Sequence, residues 1–284
     1  MSNAWLVWWS ILCTVSVLNI GAWIVSARII FRQGGHLTAS DDTLRRQLLW
    51  LSGAYVLGCA FRSFLPMSDV PRMCLHDTWV SRIFIGRSVA TVAELCFVAQ
   101  WGLLLHDVAT KTGDRLAKVL SRALVPLIVV AEVCSWTAVL TQNYLMHAVE
   151  NSLWTLGAGL ALVAIVSVRS GLDAAGRRVF IAALVSSLIY VGYMATVDVP
   201  MWLARWHGEA AAVHPIVPLW EGLQTTLARC VVVRDWTAWR DDVPWLSLYF
   251  TVCVWVSIAL VHVPPLRRAD RAIRHAARAV PDRY

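Results

Sequence analysis

The chain has 284 residues, of which 58% are hydrophobic and only 15% are charged, and its formal net charge is +7. A soluble protein of this length buries its core with fewer apolar residues and carries about 25% charged ones. The composition therefore excludes an ordinary soluble protein and predicts an integral membrane protein whose main solvent is lipid.

Seven apolar segments follow one another along the chain, each near the ~20 residues that cross the hydrocarbon core of a bilayer as a helix. Lipid offers no hydrogen bonds to the backbone, so segments of this length predict α-helices. The predicted fold is all-α, a polytopic membrane protein with a seven-helix bundle over residues 1–263. The predicted spans are Ala4–Ile30, Leu48–Leu65, Trp79–Leu105, Leu120–Tyr144, Ala148–Val168, Phe180–Leu203 and Val243–His262.

The basic residues are distributed unevenly between the two ends of these spans. The first, third and fifth loops and the tail at 264–284 together hold 17 of the 25 Lys and Arg residues. The positive-inside rule then predicts an outside N-terminus and a cytoplasmic C-terminus, in a bacterial inner membrane or a plasma membrane. This pattern explains the basic charge without a nucleic-acid partner. The tail is expected to lie on anionic lipid or to bind a cytoplasmic partner.

The third predicted span is unusual because it contains Arg82, Arg87 and Glu94. A membrane helix tolerates such residues only where they face a protein interior or a water-filled cavity. The two arginines fall in the outer half of the predicted span and Glu94 in its inner half. We expect Arg87 to meet Glu94, Glu132 or Asp198 in the bundle interior. The alternative is that these charges only fix how the helices pack.

Arginines near the outer ends of the spans suggest a site for an anionic group. Arg62, Arg82 and Arg87 would hold the phosphate of an anionic amphiphile such as a phospholipid or a lipid-linked saccharide, because guanidinium binds phosphate in a bidentate manner. Glu150 lies on the same side, and Trp220 would contact the substrate from the long outer loop. The predicted partners are thus membrane lipids and this ligand, and a homo-oligomer is left open.

Carboxylates close to these arginines are candidates for acid–base chemistry. Asp77 is the first candidate, acting with Glu94 or Asp198. No metal and no cofactor are predicted, because the histidines assigned to the outer face lack the paired spacing of metal ligands.

The loop between the sixth and seventh spans, residues 205–242, is much longer than the others. After Pro218 it predicts an extra amphipathic helix, in which Leu219, Leu223 and Leu227 share one face. Loops of this length are usually functional, so this one is expected to form an outer-face lid in the membrane interface. Only two cysteines, Cys74 and Cys230, fall in outer loops, where an oxidising exterior permits a disulfide.

Topology alone does not assign a function. The seventh span lacks the lysine that a retinal protein needs, and it lacks the paired histidines of zinc-dependent seven-span hydrolases. Three hypotheses remain: an enzyme or binding protein for an anionic amphiphile, a sensor that signals through the basic tail, and a transporter with Glu94 and Glu132 as a proton relay. The transporter ranks third because the sequence shows neither repeats nor broken helices.

Overall fold

The structure, a computed structural model, describes residues 3–33, 38–169, 172, 174–211, 216–228 and 230–263, so the predicted basic tail lies outside it. In this part six helical segments are long and apolar enough to cross a membrane. This confirms a multi-pass membrane protein. The helices are α1 Ala4–Gln33, α2 Ala39–Phe64, α3 Ile83–Thr112, α4 Arg115–Thr141, α5 Tyr144–Val168, α6 Ala174–Tyr193, α7 Val199–Ala211, α8 Leu219–Leu227, α9 Trp236–Trp239, α10 Val243–Leu248 and α11 Val254–Val261.

Short polar segments begin and end the long helices. Asp114 and Asn143 accept hydrogen bonds from backbone N–H groups in the first turns of α4 and α5, which stabilises these helix starts. Gly113 ends α3 at φ 77°, a left-handed conformation that glycine adopts without steric cost. The α3–α4 turn is therefore tight, and α3, α4 and α5 pack as successive neighbours.

Helix α2 lies between α1 and α3 and also contacts α11. A Cβ at Gly58 would approach the Cβ of Ala93 in α3 to 2.7 Å, so glycine permits the close packing of α2 on α3. Tyr55 and Cys59 of α2 are also buried. The first turns of α2 hold most of its charged residues, which makes α2 less hydrophobic than the six apolar segments.

The two spans that are assembled from more than one helical segment contain π-helical turns. Met194–Asp198 joins α6 to α7, and Tyr249–Cys253 joins α10 to α11. A π-helical turn inserts an extra residue per turn, changes the direction of the side chains that follow, and is frequent at functional sites. The sixth and seventh spans are therefore continuous helices whose hydrogen-bond spacing changes locally, which the apolar pattern did not reveal.

A small three-stranded sheet covers one end of the bundle, although the sequence predicted only helices. Strand β1 (Met67–Ser68) pairs antiparallel with β2 (Met73–Cys74), and β2 pairs parallel with β3 (Val231–Val232). A disulfide joins Cys74 to Cys230, the two cysteines singled out above. These contacts connect the α2–α3 loop to the long loop after α7. We call this sheet, together with α8 and α9, the cap.

Helix α8 packs against the ends of α3 and α4. Its buried residues are Gly222 and Thr226, whereas Leu219 and Trp220 are 59% and 69% exposed. The small residues face the bundle because a Cβ at position 222 would overlap the carbonyl oxygen of Leu140. The large apolar side chains of α8 therefore point away from the protein.

The boundaries of the third span differ from the prediction. Residues Trp79–Ser81 form a separate 3₁₀ turn, and α3 itself runs from Ile83 to Thr112. Arg82 precedes the helix in an extended conformation. Glu94 consequently lies in the first half of α3, as Arg87 does, and its position in the inner half of the membrane stays a prediction.

Candidate functional site

A buried group of ion pairs surrounds Arg87 beneath the cap. We call this group the carboxylate cluster, although it contains positively charged guanidinium groups as well as carboxyl groups. The side chains are between 5% and 13% exposed. Its members are the guanidinium groups of Arg62 and Arg87 and the carboxyl groups of Asp69, Glu94, Glu132 and Glu150.

Three helices direct glutamates at a single nitrogen of Arg87. Its Nη2 donates hydrogen bonds to Glu94 Oε2 at 2.8 Å and to Glu132 Oε2 at 2.6 Å, and it lies 3.6 Å from Glu150 Oε1. Arg87 and Glu94 are seven residues apart in α3, which places them on one face two turns apart. Glu132 and Glu150 come from α4 and α5, so the three-helix packing brings the glutamates together.

The cap contributes the fourth carboxylate. Asp69 Oδ2, in the loop after β1, lies 3.7 Å from Arg87 Nη1 and 3.5 Å from Arg62 Nη1. Arg62 also donates to the carbonyl oxygens of Met67 at 3.0 Å and Gly86 at 3.4 Å. Arg62 therefore holds the cap loop, α2 and α3 together at the edge of the cluster.

Neutral donors complete the shell around the glutamates. Thr91 Oγ1 donates to Glu132 Oε2 at 2.6 Å and accepts a hydrogen bond from Trp136 Nε1 at 3.0 Å. Tyr249, the first residue of the second π-helical turn, donates its hydroxyl to Glu94 Oε1 at 3.1 Å. Asp198, in the first π-helical turn, accepts a hydrogen bond from Asn151 Nδ2 at 2.6 Å. Both spans that contain a π-helical turn thus reach the polar interior.

The charges of the cluster do not balance. Four carboxyl groups meet two guanidinium groups, so the fully ionised cluster has two excess negative charges. Uncompensated charge in a membrane interior costs several kcal/mol. Glu94 and Glu132 both accept hydrogen bonds from Arg87 Nη2, so two carboxylates share one donor group. Protonation of a carboxyl group would lower the cost of the excess charge.

The same three glutamates have the spacing of metal ligands. Carboxylate oxygens of Glu94, Glu132 and Glu150 all lie within 4.8 Å of one another. However, each of them also contacts Arg87 Nη2, whose positive charge would repel a divalent ion at this point. The donor set therefore suits a proton better than a metal.

Two polar connections lead from the cluster toward the cap. His147 Nδ1 lies 2.8 Å from Glu150 Oε2. On the other side, Ser68 Oγ donates to Asp242 Oδ2 at 3.0 Å, and Arg205 Nη2 donates to Asp242 Oδ1 at 3.1 Å. Burial raises the pKa of Asp242 above its usual value, and the guanidinium of Arg205 offsets only part of this.

The structure brings four of the predicted site residues into the cluster: Arg62, Arg87, Glu94 and Glu150. Arg87 contacts Glu94 and Glu132, two of the three partners expected for it. The third expected partner, Asp198, instead binds Asn151, the residue next to Glu150.

The other three predicted site residues lie at the periphery. Arg82 is half-buried at the start of α3, and Asp77 is exposed in the loop before it. Trp220 lies on the outward face of α8. Their assignment to a substrate or to acid–base chemistry stays a prediction.

Two members of this site, Asp69 and Tyr249, were not among the predicted site residues. A signal for Asp69 is present in the segment between Arg62 and Arg87, where it is the first acidic residue after Arg62. Tyr249 carries no such signal, because its role depends on the rotation produced by the π-helical turn.

Comparisons of the chain with known protein families, with curated proteins and with solved structures find no match. The function is therefore argued from the site itself.

Proposed function

We propose that the chain crosses the membrane seven times. Helix α2 is the crossing that is added to the six apolar segments. Its 26 residues extend about 39 Å at 1.5 Å per residue, enough to cross the hydrocarbon core. It packs along α1 and α3, both of which are apolar segments of spanning length. Its lower hydropathy fits its position inside the bundle, where Gly58 and Arg62 face protein rather than lipid.

The proposed orientation places the N-terminus outside, with α8 as the extra amphipathic helix at the outer face. In support, Lys111 pairs with Asp41 at 2.8 Å, so the basic first and third loops meet at one end of the bundle. The cap and its disulfide lie at the opposite end. Reporter fusions should place the two termini on opposite sides of the membrane; the same side for both would contradict seven spans.

We further propose that the protein takes up and releases protons at the carboxylate cluster, as a proton-coupled transporter does. The observation that carries this proposal is the excess of two carboxyl groups over guanidinium groups in a buried site. Glu94 and Glu132, whose carboxylate oxygens lie within 4.8 Å of each other, are the proton-binding pair. Arg87 holds both of them in place.

The π-helical turns support the choice of this cluster as the functional site, because such turns are frequent at functional sites. Tyr249, in one turn, donates directly to Glu94, and Asp198, in the other, accepts a hydrogen bond from the neighbour of Glu150. The transporter ranked third from the sequence because neither repeats nor broken helices were apparent there.

Binding of an anionic amphiphile has less support from the geometry. Arg62 and Arg87 direct their guanidinium groups at carboxylates and backbone carbonyls, so an incoming phosphate would compete with existing partners. Arg82 and Trp220 are the more accessible residues of that hypothesis. A sensor would depend on the basic tail, which lies outside the described residues.

Infrared spectroscopy of the protein in lipid nanodiscs tests the proton proposal directly. The carbonyl stretch of a protonated carboxyl group should be present at neutral pH and change as the pH is varied. Glu94→Gln and Glu132→Gln should each weaken it, because each removes one partner of the pair. Glu221→Gln, the same change at an exposed position of α8, is the matched control and should leave the band intact.

Two outcomes would overturn the proposal. One is a wild-type protein without a protonated carboxyl band at any pH in which it stays folded. The other is a band that persists unchanged in both cluster variants, which would place the proton elsewhere.

A further inference from the structure

His147 lies between the carboxylate cluster and the outer face. It is in the first turn of α5, and its side chain is 7% exposed. Its Nδ1 is 2.8 Å from Glu150 Oε2. The other carboxylate oxygen of Glu150, Oε1, lies 3.6 Å from Arg87 Nη2. Its Nε2 is buried and has no hydrogen-bond partner among the described residues. One nitrogen of the imidazole thus faces the cluster while the other stays available.

A line of polar and aromatic groups continues from His147 toward the surface. The imidazole packs on the ring of Trp202 with 4.6 Å between centroids. Arg205 lies over the same indole at 4.7 Å and pairs with Asp242. Asp241, whose side chain is 57% exposed, lies 3.9 Å from Arg205 and reaches solvent. In the described part of the chain, only the Trp202 ring and the Arg205–Asp242 pair thus separate His147 from the exposed carboxylate of Asp241 in this direction.

Charged groups from several elements surround this imidazole. Glu150 faces it from α5 itself, and Asp198 interacts with it from the π-helical turn. Arg205 of α7 is separated from it by the Trp202 ring, and Arg87 of α3 by Glu150. Acidic groups are thus its direct neighbours, and the cations lie behind them.

We propose that His147 is the relay through which the proton of the carboxylate cluster exchanges with the outer side, passing between Glu150 and the cap. This proposal rests on the proposed function, since it requires the cluster to exchange a proton. Imidazole suits the task because its two nitrogens accept a proton on one side and release one on the other near neutral pH. In this step Nδ1 accepts the proton of the Glu150 carboxyl group, and Nε2–H passes its proton to a water molecule from the outer side, so only N–H and O–H bonds break and form.

A second route from the cluster competes with this one. Asp69 follows Ser68 in the chain, and Ser68 donates to Asp242 at 3.0 Å. A proton could thus pass from Asp69 to Asp242 without involving His147. The direct contact with Glu150 favours His147, because among the described residues no hydrogen bond joins the Asp69 carboxyl group to Ser68 Oγ.

The test measures how fast the cluster responds to a pH jump, using the carboxyl band of the nanodisc-embedded protein. The amplitude of the band reports the proton-binding pair, and its rate reports the route. In His147→Asn, the amide can keep a hydrogen bond to Glu150 but cannot carry a proton. It should preserve the amplitude and slow the rate by about tenfold or more. His76→Asn, the same change outside the path, should leave both unchanged.

Each alternative gives a different result. An unchanged rate in His147→Asn would overturn the relay while leaving the proposed function intact, and slowing only in Ser68→Ala would assign the route to Asp69. A missing amplitude in the wild-type protein would instead contradict the proposed function.

If His147→Asn does not fold, ¹⁵N-histidine NMR of the wild-type protein replaces the experiment on this variant. The relay then requires the His147 signal and the exchange rate to share one pH midpoint, and different midpoints would overturn it.

Discussion

Two buried polar regions on helix α3 differ in kind. Near the cap, Arg87 and Glu94 belong to a cluster with excess carboxyl groups. About 9 Å further along α3, at 1.5 Å per residue, Gln100 donates to the carbonyl oxygens of Leu48 and Ser257 at 2.9 and 3.3 Å. Gln100 also accepts from the Ser257 hydroxyl, and that hydroxyl lies 3.0 Å from Ser52 Oγ.

The comparison separates structural polarity from functional polarity in one bundle. The Gln100 network is neutral, fully buried and hydrogen-bonded on both sides of the amide. Such a network fixes helix packing and has no reason to exchange protons. The carboxylate cluster has unbalanced charge, and Glu132 Oε1 and Asp69 Oδ1 lack hydrogen-bond partners among the described residues. Unbalanced charge, rather than burial of polar groups, marks the candidate site.

The largest effect is expected when Arg87 is replaced. Arg87→Gln leaves four carboxyl groups with one guanidinium, and breaking a buried ion pair from one side costs about 3–5 kcal/mol. The loss should shrink at acidic pH, because protonated carboxyl groups no longer need the cation. Thermal unfolding in detergent at several pH values measures both effects.

Arg46→Gln serves as the control for this substitution. Arg46 pairs with Asp42 at 2.8 Å, and its side chain is 46% exposed. An exposed pair of this kind contributes about 0–1 kcal/mol. Equal destabilisation by the two variants at every pH would remove the distinction between the cluster and an ordinary ion pair.

A smaller effect is expected in the neutral network. Gln100→Leu removes hydrogen bonds worth about 1 kcal/mol and leaves no buried charge behind. Its infrared carboxyl band should match that of the wild-type protein, in contrast to Glu94→Gln. If Gln100→Leu abolished the band, the inner network would have to be counted as part of the proton site.

The smallest effects concern two carboxyl groups at opposite ends of the bundle. Hydrogen bonds from Lys111 and Thr38 hold the pKa of Asp41 below its usual value, whereas burial raises that of Asp242. The stability from Asp41 is present above its usual pKa and is lost as the pH falls. The stability contributed by Asp242 is present below the usual pKa of an aspartate and is lost as the pH rises through the raised pKa of Asp242.

Replacement of each aspartate by asparagine should therefore change a different part of the curve of stability against pH. Asp41→Asn should flatten the acidic side, with an effect below about 1 kcal/mol. Asp242→Asn should flatten the side above the usual carboxyl pKa. Unfolding temperatures measured from acidic to neutral pH check both, and identical profiles for the two variants would contradict the opposite shifts.

Local sequence patterns were sufficient for the helices and for the charged third span. Apolar length predicted the spanning helices because a helix in lipid must satisfy its own backbone. The start of α3 was missed by four residues, since Trp79–Ser81 is apolar but forms a separate turn. The cap sheet and the π-helical turns were also missed, because each depends on contacts between distant segments.

The sequence by itself determined that this is a multi-pass membrane protein with buried charges in its third long helix. Composition and apolar length are local properties, and lipid imposes them on any chain that crosses it. Only the tertiary structure decided that Glu132, Glu150 and Asp69 converge on Arg87. They come from two other helices and a loop, and their meeting depends on how those elements rotate and pack. That packing changed the expected anion site, lined by arginines, into a site with excess carboxyl groups.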